Sequence, residues 1–364
     1  MTQPVDFAQI NLDIFSGKDP GRVLWQPRLE FWYKVNQKRG TLPPHLRDAS
    51  LLDVYDYCHA SVRYFVNPLR HEFEGVSIGR QWLDEKTLKR TYTTPVGILT
   101  DVLHYDEYGL SAYNSENILK TPRDFEIYEY MLQHETWSWD QAAYEQAIQR
   151  VGGRGAPQFY FRRSPIQGLF IENMGFENTI FMMTDYPEII ERYVEVASAA
   201  DDALYQVLCQ SPTPILNFGE NIDAHMDSPS IWRRHLLPYY TRRVNQLMEA
   251  GKSCYIHIDG AMRPLIRQIR ESPFPAIEAC TPIPQGDVTL EEIKEALGER
   301  ILVDGIPAVL FLPYFPLEEL KMMTQRVVEL FYPRLVLGIS DEIPPDGDIE
   351  RVRLVGEWVV ELVK

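Results

Sequence analysis

Cysteine is scarce in this chain of 364 residues: Cys58, Cys209, Cys254 and Cys280 lie far apart and form no Cys-x-x-Cys pair. Such spacing excludes a zinc ribbon and a disulfide framework, and it fits reduced thiols in a cytoplasm. Positive charge is also short, with 36 Lys and Arg against 52 Asp and Glu and a net charge of −16. That sign excludes nucleic acid as a partner and disfavours a strongly anionic substrate approaching unaided. No run approaches the roughly 18 apolar residues of a membrane span, so no membrane association is expected. From Met1 to Pro20 the chain is polar and acidic, with no basic stretch followed by an apolar one, so no secretory leader is expected. Internal repeats, low-complexity stretches and linkers are missing too, and residues 1–364 read as one domain. What the chain does have is ordinary globular material, 45% hydrophobic and 24% charged, enough for a sizeable core.

The second half alternates short apolar runs rich in β-branched residues with amphipathic helical segments, the pattern of a parallel sheet wrapped by helices. Strands are expected at Pro214–Gly219, Ser253–Ile258, Ala276–Cys280, Ile301–Ile306 and Arg334–Ile339. The intervening helices run from about Ser230 to Ala250, ending at Gly251, from Met262 to Glu271, from Asp287 or Thr289 onward, and from Leu317 to Phe331. A terminal helix begins at Asp348. The first half is less regular. Val23–Trp25 reads as a first strand, and Glu72–Tyr113 alternates polar and apolar residues as an antiparallel excursion would. Phe125–Leu132 and Trp139–Val151 look helical, Phe159–Arg162 looks like a strand, and Pro187–Gln210 is a long amphipathic helix.

In a parallel barrel the chemistry sits just after each strand. There the chain places Trp25-Gln26-Pro27-Arg28 before Phe31-Trp32-Tyr33, then Glu220-Asn221-Ile222-Asp223, His257 with Asp259-Gly260, Glu278, Asp304, and Ser340-Asp341-Glu342. Together these supply an imidazole, several carboxylates, a guanidinium and a set of aromatics. Two readings stand for most of them. His257 is either a core histidine satisfied by a carboxylate or a functional group at a strand end. Glu278 and Asp304 lie within strands, where alternation points each side chain either at the interior or at the helix layer. The cluster Trp25, Trp32, Tyr33 is either core packing or a substrate platform. The helical charges Glu291, Glu292 and Lys294 read as a solvated face.

Several fragments in combination carry a resemblance: Gly219-Glu220-Asn221, Ser228-Pro229, Pro238-Tyr239-Tyr240, Gly251, His257-Ile258-Asp259-Gly260, Thr281-Pro282, Gly286-Asp287, Leu290 and Gly305-Ile306-Pro307. Across Leu216–Val363 the chain resembles the superfamily of uroporphyrinogen decarboxylases and cobalamin-dependent methyltransferases. Thr91–Gly97 and Thr121–Asp124 are similar to uncharacterised members of it. The resemblance implies a (β/α)8 TIM barrel, here with an N-terminal extension and an antiparallel excursion.

Two chemistries follow from that superfamily. True uroporphyrinogen decarboxylases bind the many carboxylates of their substrate with an arginine-rich N-terminal motif, of which this chain keeps Arg28. The methyltransferase branch holds zinc with a His-x-Cys pair and a later cysteine. This chain keeps His257, has Asp259 in place of the first cysteine, and has Asp341 or Ser340 in place of the second. Hard carboxylates thus replace soft thiolates, which suits activation of an oxygen substrate such as a methyl ether. The expectation is a metal-assisted methyltransferase working with a separate corrinoid protein, because no Asp-x-His-x-x-Gly pattern for carrying cobalamin is present. It would move a methyl group between that partner and a small aromatic methyl ether. A divalent metal, zinc by preference, would sit on His257, Asp259, Asp341 and Glu278. His257 and Glu220 would be catalytic, and Arg28, Trp25, Trp32, Tyr33 and Asn221 would bind substrate. The Glu72–Tyr113 excursion either closes over the site or mediates a homodimer through an exposed hairpin edge. The runner-up is a decarboxylase that holds a carboxylate with Arg28, and the third reading is a non-catalytic ligand-binding barrel.

Overall fold

The computed structural model describes residues 5–362, so the outermost ends of the expected 1–364 domain lie outside the described residues. Twelve strands form among the described residues. The first, β1 (Leu24–Trp25), is followed by an antiparallel set: β2 (Leu69–Phe73), β3 (Ser77–Trp82), β4 (Thr87–Thr94), β5 (Gly97–Tyr105), β6 (Ala112–Glu116) and β7 (Glu135–Trp139). The strands of the second half are β8 (Ile215–Ile222), β9 (Ser253–Ile258), β10 (Ala276–Ala279), β11 (Ile301–Pro307) and β12 (Leu335–Ser340).

Six strands make one parallel sheet in the order β1-β12-β11-β10-β9-β8, with helices in the connections from β8 to β12. Their residues are buried almost throughout, as parallel strands covered on both faces must be. The expected eight strands are therefore six in register. Between β1 and β8, where two more would stand, lie extended segments tied by single hydrogen bonds. Ser61 N–H donates to Trp25 O at 2.7 Å, Val62 N–H to Arg154 O at 2.8 Å, and Asn217 N–H to Phe159 O at 3.2 Å. The expected strand Phe159–Arg162 survives as one bridge, Tyr160 to Asn217. The cause is local. Pro157 has no N–H to donate, and Gly155 presses so closely on residue 62 that a Cβ there would stand 2.0 Å from Val62 O.

The helix Phe7–Phe15 packs its apolar residues beneath the starts of the parallel strands, against Leu24, Ile215, Tyr255, Ala276 and Ile301. This is the N-terminal extension, and it closes the floor of the sheet's concave interior. The excursion expected at Glu72–Tyr113 is a four-stranded antiparallel meander, β3-β4-β5-β6, while β2 pairs with β7 instead. The expected helix at Trp139–Val151 begins at Gln141, because Trp139 belongs to β7 and Asp140 caps the helix by accepting from Ala143 N–H. The helix expected at Ser230–Ala250 contains a π-helical turn, Trp232–Leu236, just before Pro238. A proline at that place has no donor for Arg234 O and its ring would crowd it, and the wider turn relieves both. Thr289, not Asp287, caps its helix, in a reciprocal box with Glu292 at 3.2 and 2.8 Å. Among the described residues no helix is long and apolar enough to cross a membrane.

Candidate functional site

Above the apolar floor the interior turns polar, and the polar layer lies toward the C-terminal ends of the parallel strands. His257 on β9 stands in register with Glu278 on β10, so both side chains point the same way. His257 Nδ1–H donates to Glu278 Oε2 at 3.0 Å. Glu278 also accepts from Arg63 Nη1 at 2.7 Å, from Tyr64 OH at 2.8 Å and from Asn217 Nδ2 at 2.8 Å. Burial pushes this carboxyl up, but the charge and hydrogen bond of His257, with the charges of Arg63 and Arg28, hold it well below the usual carboxylate range.

With Nδ1 committed, His257 presents Nε2 to the mouth. Two carboxylates face it there: Asp259 Oδ2 at 3.6 Å and Asp341 Oδ1 at 3.9 Å. One ligand atom from each of these three residues lies within 4.8 Å of the others. Both distances are too long for hydrogen bonds. They are close to the ~3.4 Å that separates donors placed tetrahedrally about 2.1 Å from a divalent ion. His257 is 3% exposed, and the two aspartates are partly open to solvent. Burial alone would push His257 down; Glu278, Asp259 and Asp341 more than offset that and raise it to about 10. Asp259, beside His257 and against the effect of burial, is held at about 2.

The aspartates are themselves positioned. Asn221 Nδ2 donates to Asp259 Oδ2 at 3.0 Å, and Arg28 donates to Asp341 while its other arm lies 3.6 Å from Glu342. Arg28 also lies over the rings of Tyr64 and Tyr160, 5.6 and 5.9 Å from their centroids. Of the five described non-glycine residues with positive φ, three (Asn221, Ala279 and Cys280) sit at or beside these strand ends, and a fourth, Asp304, lies within β11 paired with Ala279. Backbone of that kind persists where surrounding structure over-determines it.

The expected site residues divide into two groups. His257, Asp259, Asp341, Asn221 and Arg28 come together at the mouth. Glu278 is close but serves the back of His257, because its oxygens are taken by four donors; as a metal ligand it is corrected to a positioning residue. Glu220 is also corrected. It is fully buried elsewhere, accepting from Ser164 N–H at 2.8 Å, Ser164 OH at 2.6 Å and Tyr240 OH at 3.0 Å. Burial raises it to about 7 against those hydrogen bonds. The alternation of β8 turns it away from the side that Asn217 and Asn221 share, and a bulge between Phe218 and Ile222 breaks the simple pattern.

The aromatic platform is core. Trp25 stacks on Phe311 at 6.3 Å, Trp32 Nε1–H donates to Gly347 O at 2.9 Å, and Tyr33 OH donates to Ala49 O at 2.8 Å. All three are buried. The aromatics beside Arg28 are Tyr64 and Tyr160, their ring centroids 4.3 Å apart and their planes tilted by 32°. Sequence reasoning also missed Arg63, which is 0% exposed and joins Glu278, Asp304 and Gln26 O. Its one sequence signal is an arginine inside the apolar run Ala60–Val66. Asp304 takes the interior reading, since its positive φ turns its side chain onto Arg63.

A cavity of about 420 Å³ is bordered by Tyr128, Trp137, Tyr160, Arg162, Arg163 and Asp201; none of His257, Asp259 and Asp341 lines it, and Arg163 connects it to the mouth by donating to Asn221 Oδ1 at 2.7 Å. Arg163 and Glu172 also border a larger space, about 1090 Å³, under the antiparallel meander.

No protein-family model matches the chain, and no curated protein matches it. Among solved structures, a methyltransferase from Methanosarcina mazei superposes with a TM-score of 0.61 at 13% identity, over 98% of this chain and 100% of that one. A B12-independent methionine synthase from Shewanella sp. W3-18-1, in complex with selenomethionine, gives a TM-score of 0.38 at 8% identity, over 88% of this chain and 91% of that one. The first likeness shows a shared fold end to end, and at that level the resemblance read from His257–Gly260 and its companion fragments stands.

Proposed function

We propose that this chain is a metal-assisted methyltransferase that moves a methyl group between a small aromatic methyl ether and a corrinoid carried by a separate protein. The observation that carries the reading is the open group of His257, Asp259 and Asp341. It has three ligand atoms of hard or borderline character around one point, and a solvent-facing side where a fourth ligand would enter. The shared fold with a methyltransferase agrees with it but shows no chemistry by itself.

When bound, a divalent ion such as zinc would polarise the ether oxygen and make it a better leaving group. The chain's own residues do the rest. Glu278 fixes the tautomer of His257 so that Nε2 faces the mouth, as outer partners of ligating histidines do. Asn221 and Arg28 aim Asp259 and Asp341. With its value raised to about 10 by Glu278, Asp259 and Asp341, a metal-free His257 would hold a proton at neutral pH on the side that faces the two aspartates, where it could serve as general acid. Arg28, which a decarboxylase would need for its substrate's carboxylate, is already engaged by Asp341 and Glu342.

The test is metal analysis of the purified protein together with a transfer assay. About one equivalent of a divalent ion is expected, and His257→Ala and Asp259→Asn should each lose it while remaining folded. Methyl transfer to a supplied corrinoid protein should fail in both variants. A metal-free wild-type protein that still transfers methyl groups would move the work to His257 as acid, and absence of transfer from any methyl ether would sink the reading.

A further inference from the structure

The antiparallel meander is held firmly at one end and lightly at the other. At its root the helix Pro122–Gln133 packs against β4 and β5, and a Cβ on Gly97 would stand 2.5 Å from Ile127 Cδ1. Leu119 N–H donates to Asn173 O at 2.8 Å and Asn117 Nδ2 to Glu172 O at 3.2 Å, which ties the exit of β6 to the loop after Arg163. The far half has no such footing. Trp82, Leu83 and Tyr113 are each more than half exposed. Among the described residues, the segments 80–90 and 102–113 hydrogen-bond beyond the meander at Tyr108 and at the base residue of Asn114's neighbour strand only through Tyr108: its OH accepts from Arg39 Nε at 2.7 Å, and its backbone O accepts from Lys38 Nζ. Arg39 also lies over the Tyr108 ring, 5.2 Å from the centroid, and donates to Asp346 Oδ1 at 3.1 Å.

The tip between β5 and β6 is a preformed body and not a loose loop. Asp106 accepts from the N–H groups of Tyr108 and Leu110 at 2.9 Å each and of Ser111 at 3.2 Å. Asp346 follows the candidate ligand Asp341 in the loop after β12, whereas Glu172 and Asn173 lie beyond the extended segment Phe159–Arg162. The β5–β6 hairpin therefore bridges two loops that rise from the C-terminal side of the parallel sheet. The space of about 1090 Å³ lies under it, with Ile78, Tyr92 and Leu103 on its roof. We infer that this hairpin is a latched strap. With Tyr108 clipped to Lys38 and Arg39 it closes that space, and on release the far half of the meander swings about its root and admits a bulky group. A cation over a ring and a solvated hydrogen bond are each weak at an exposed site, so thermal motion opens such a clip. Closures of this kind commonly gate access to a site. The strap goes beyond the methyl-transfer reading and does not depend on it; under that reading the bulky group is the corrinoid.

Thiol labelling of the full chain tests the strap. Ile171 borders the covered space, so Ile171→Cys on a Cys209→Ser background reports access to it, the other cysteines being buried. Adding Tyr108→Ala should raise the rate with a bulky fluorescein maleimide at least about fivefold and change that with small iodoacetamide less than about twofold. A bulky-reagent rate indifferent to Tyr108→Ala, or an equal gain for both reagents, would overturn the gate. Spin labels at the exposed positions Lys34 and Glu107, or Lys34 and Gln81, follow the movement itself. Both pairs should gain a longer-distance population in Tyr108→Ala, because the far half swings as one body. Lengthening at Glu107 without Gln81 would reduce the effect to a frayed tip, and no lengthening at either would make the meander a fixed wall; each would overturn the strap.

Discussion

At the scale of single residues, His257 couples proton and metal. Its raised value near 10 means that a metal must displace a proton at neutral pH. Apparent metal affinity should therefore rise about tenfold per pH unit from pH 6 upward and level off near 10, as read by competition with a chelator. A flat profile would show that the imidazole is not a ligand. In the metal-free protein the sign for stability is the opposite. A histidine whose folded value is raised stabilises fully below about pH 6.5, and that contribution is lost as pH climbs through 10.

Glu220 behaves in the contrary way. Its folded value of about 7 exceeds the ordinary 4.5, so the native state holds a proton that the unfolded chain gives up. Stability should fall as pH rises from about 4.5 to 7, by ~3 kcal/mol for this group. Asp227, also raised to about 7 by burial, acts over a similar window. Burial also raises Glu342 to about 7 and Asp304 to about 6, so Glu220→Gln should remove about a quarter of the combined fall in urea titrations, and an unchanged slope would show that Glu220 is ionised in the native state. His257 and Asp259 were legible because a strand end is where a barrel keeps its chemistry. Glu220 looked equally good by that rule. Only the packing of Ser164 and Tyr240 against it shows that it faces another way.

At the scale of elements, β12 carries a glycine for room. A Cβ on Gly338 would stand 2.1 Å from Asp304 Oδ1 and 2.7 Å from Arg63 Nη2. Gly338→Ala should thus cost at least about 3 kcal/mol, because it forces apart a fully buried ion pair as well as overpacking the interior. Chemical denaturation measures it, and a loss under 1 kcal/mol would mean that the Arg63 cluster is looser than its geometry. The later strands were readable because each is a short β-branched run with its own helix behind it. Segments 60–66 and 154–161 were not, because a proline, glycines and an apolar arginine give them no period, and their place comes from partners distant in sequence.

At the scale of the whole molecule, the parallel sheet and the antiparallel meander differ in burial. All six residues of β3 are exposed, whereas β9 to β12 are buried nearly end to end. Hydrogen exchange should open the antiparallel meander well before the parallel sheet, with amides of residues 77–116 exchanging first. Equal protection in both would indicate one cooperative unit. The buried guanidinium of Arg63 joins carboxylates 215 and 241 residues further along the chain. On the ribosome, that arginine emerges long before either acid exists, and Asp341 follows later still. A nascent chain can therefore settle neither this interior nor the candidate mouth until β10, β11 and β12 have all been made, so the first strand waits for the last, with the buried charge of Arg63 uncompensated.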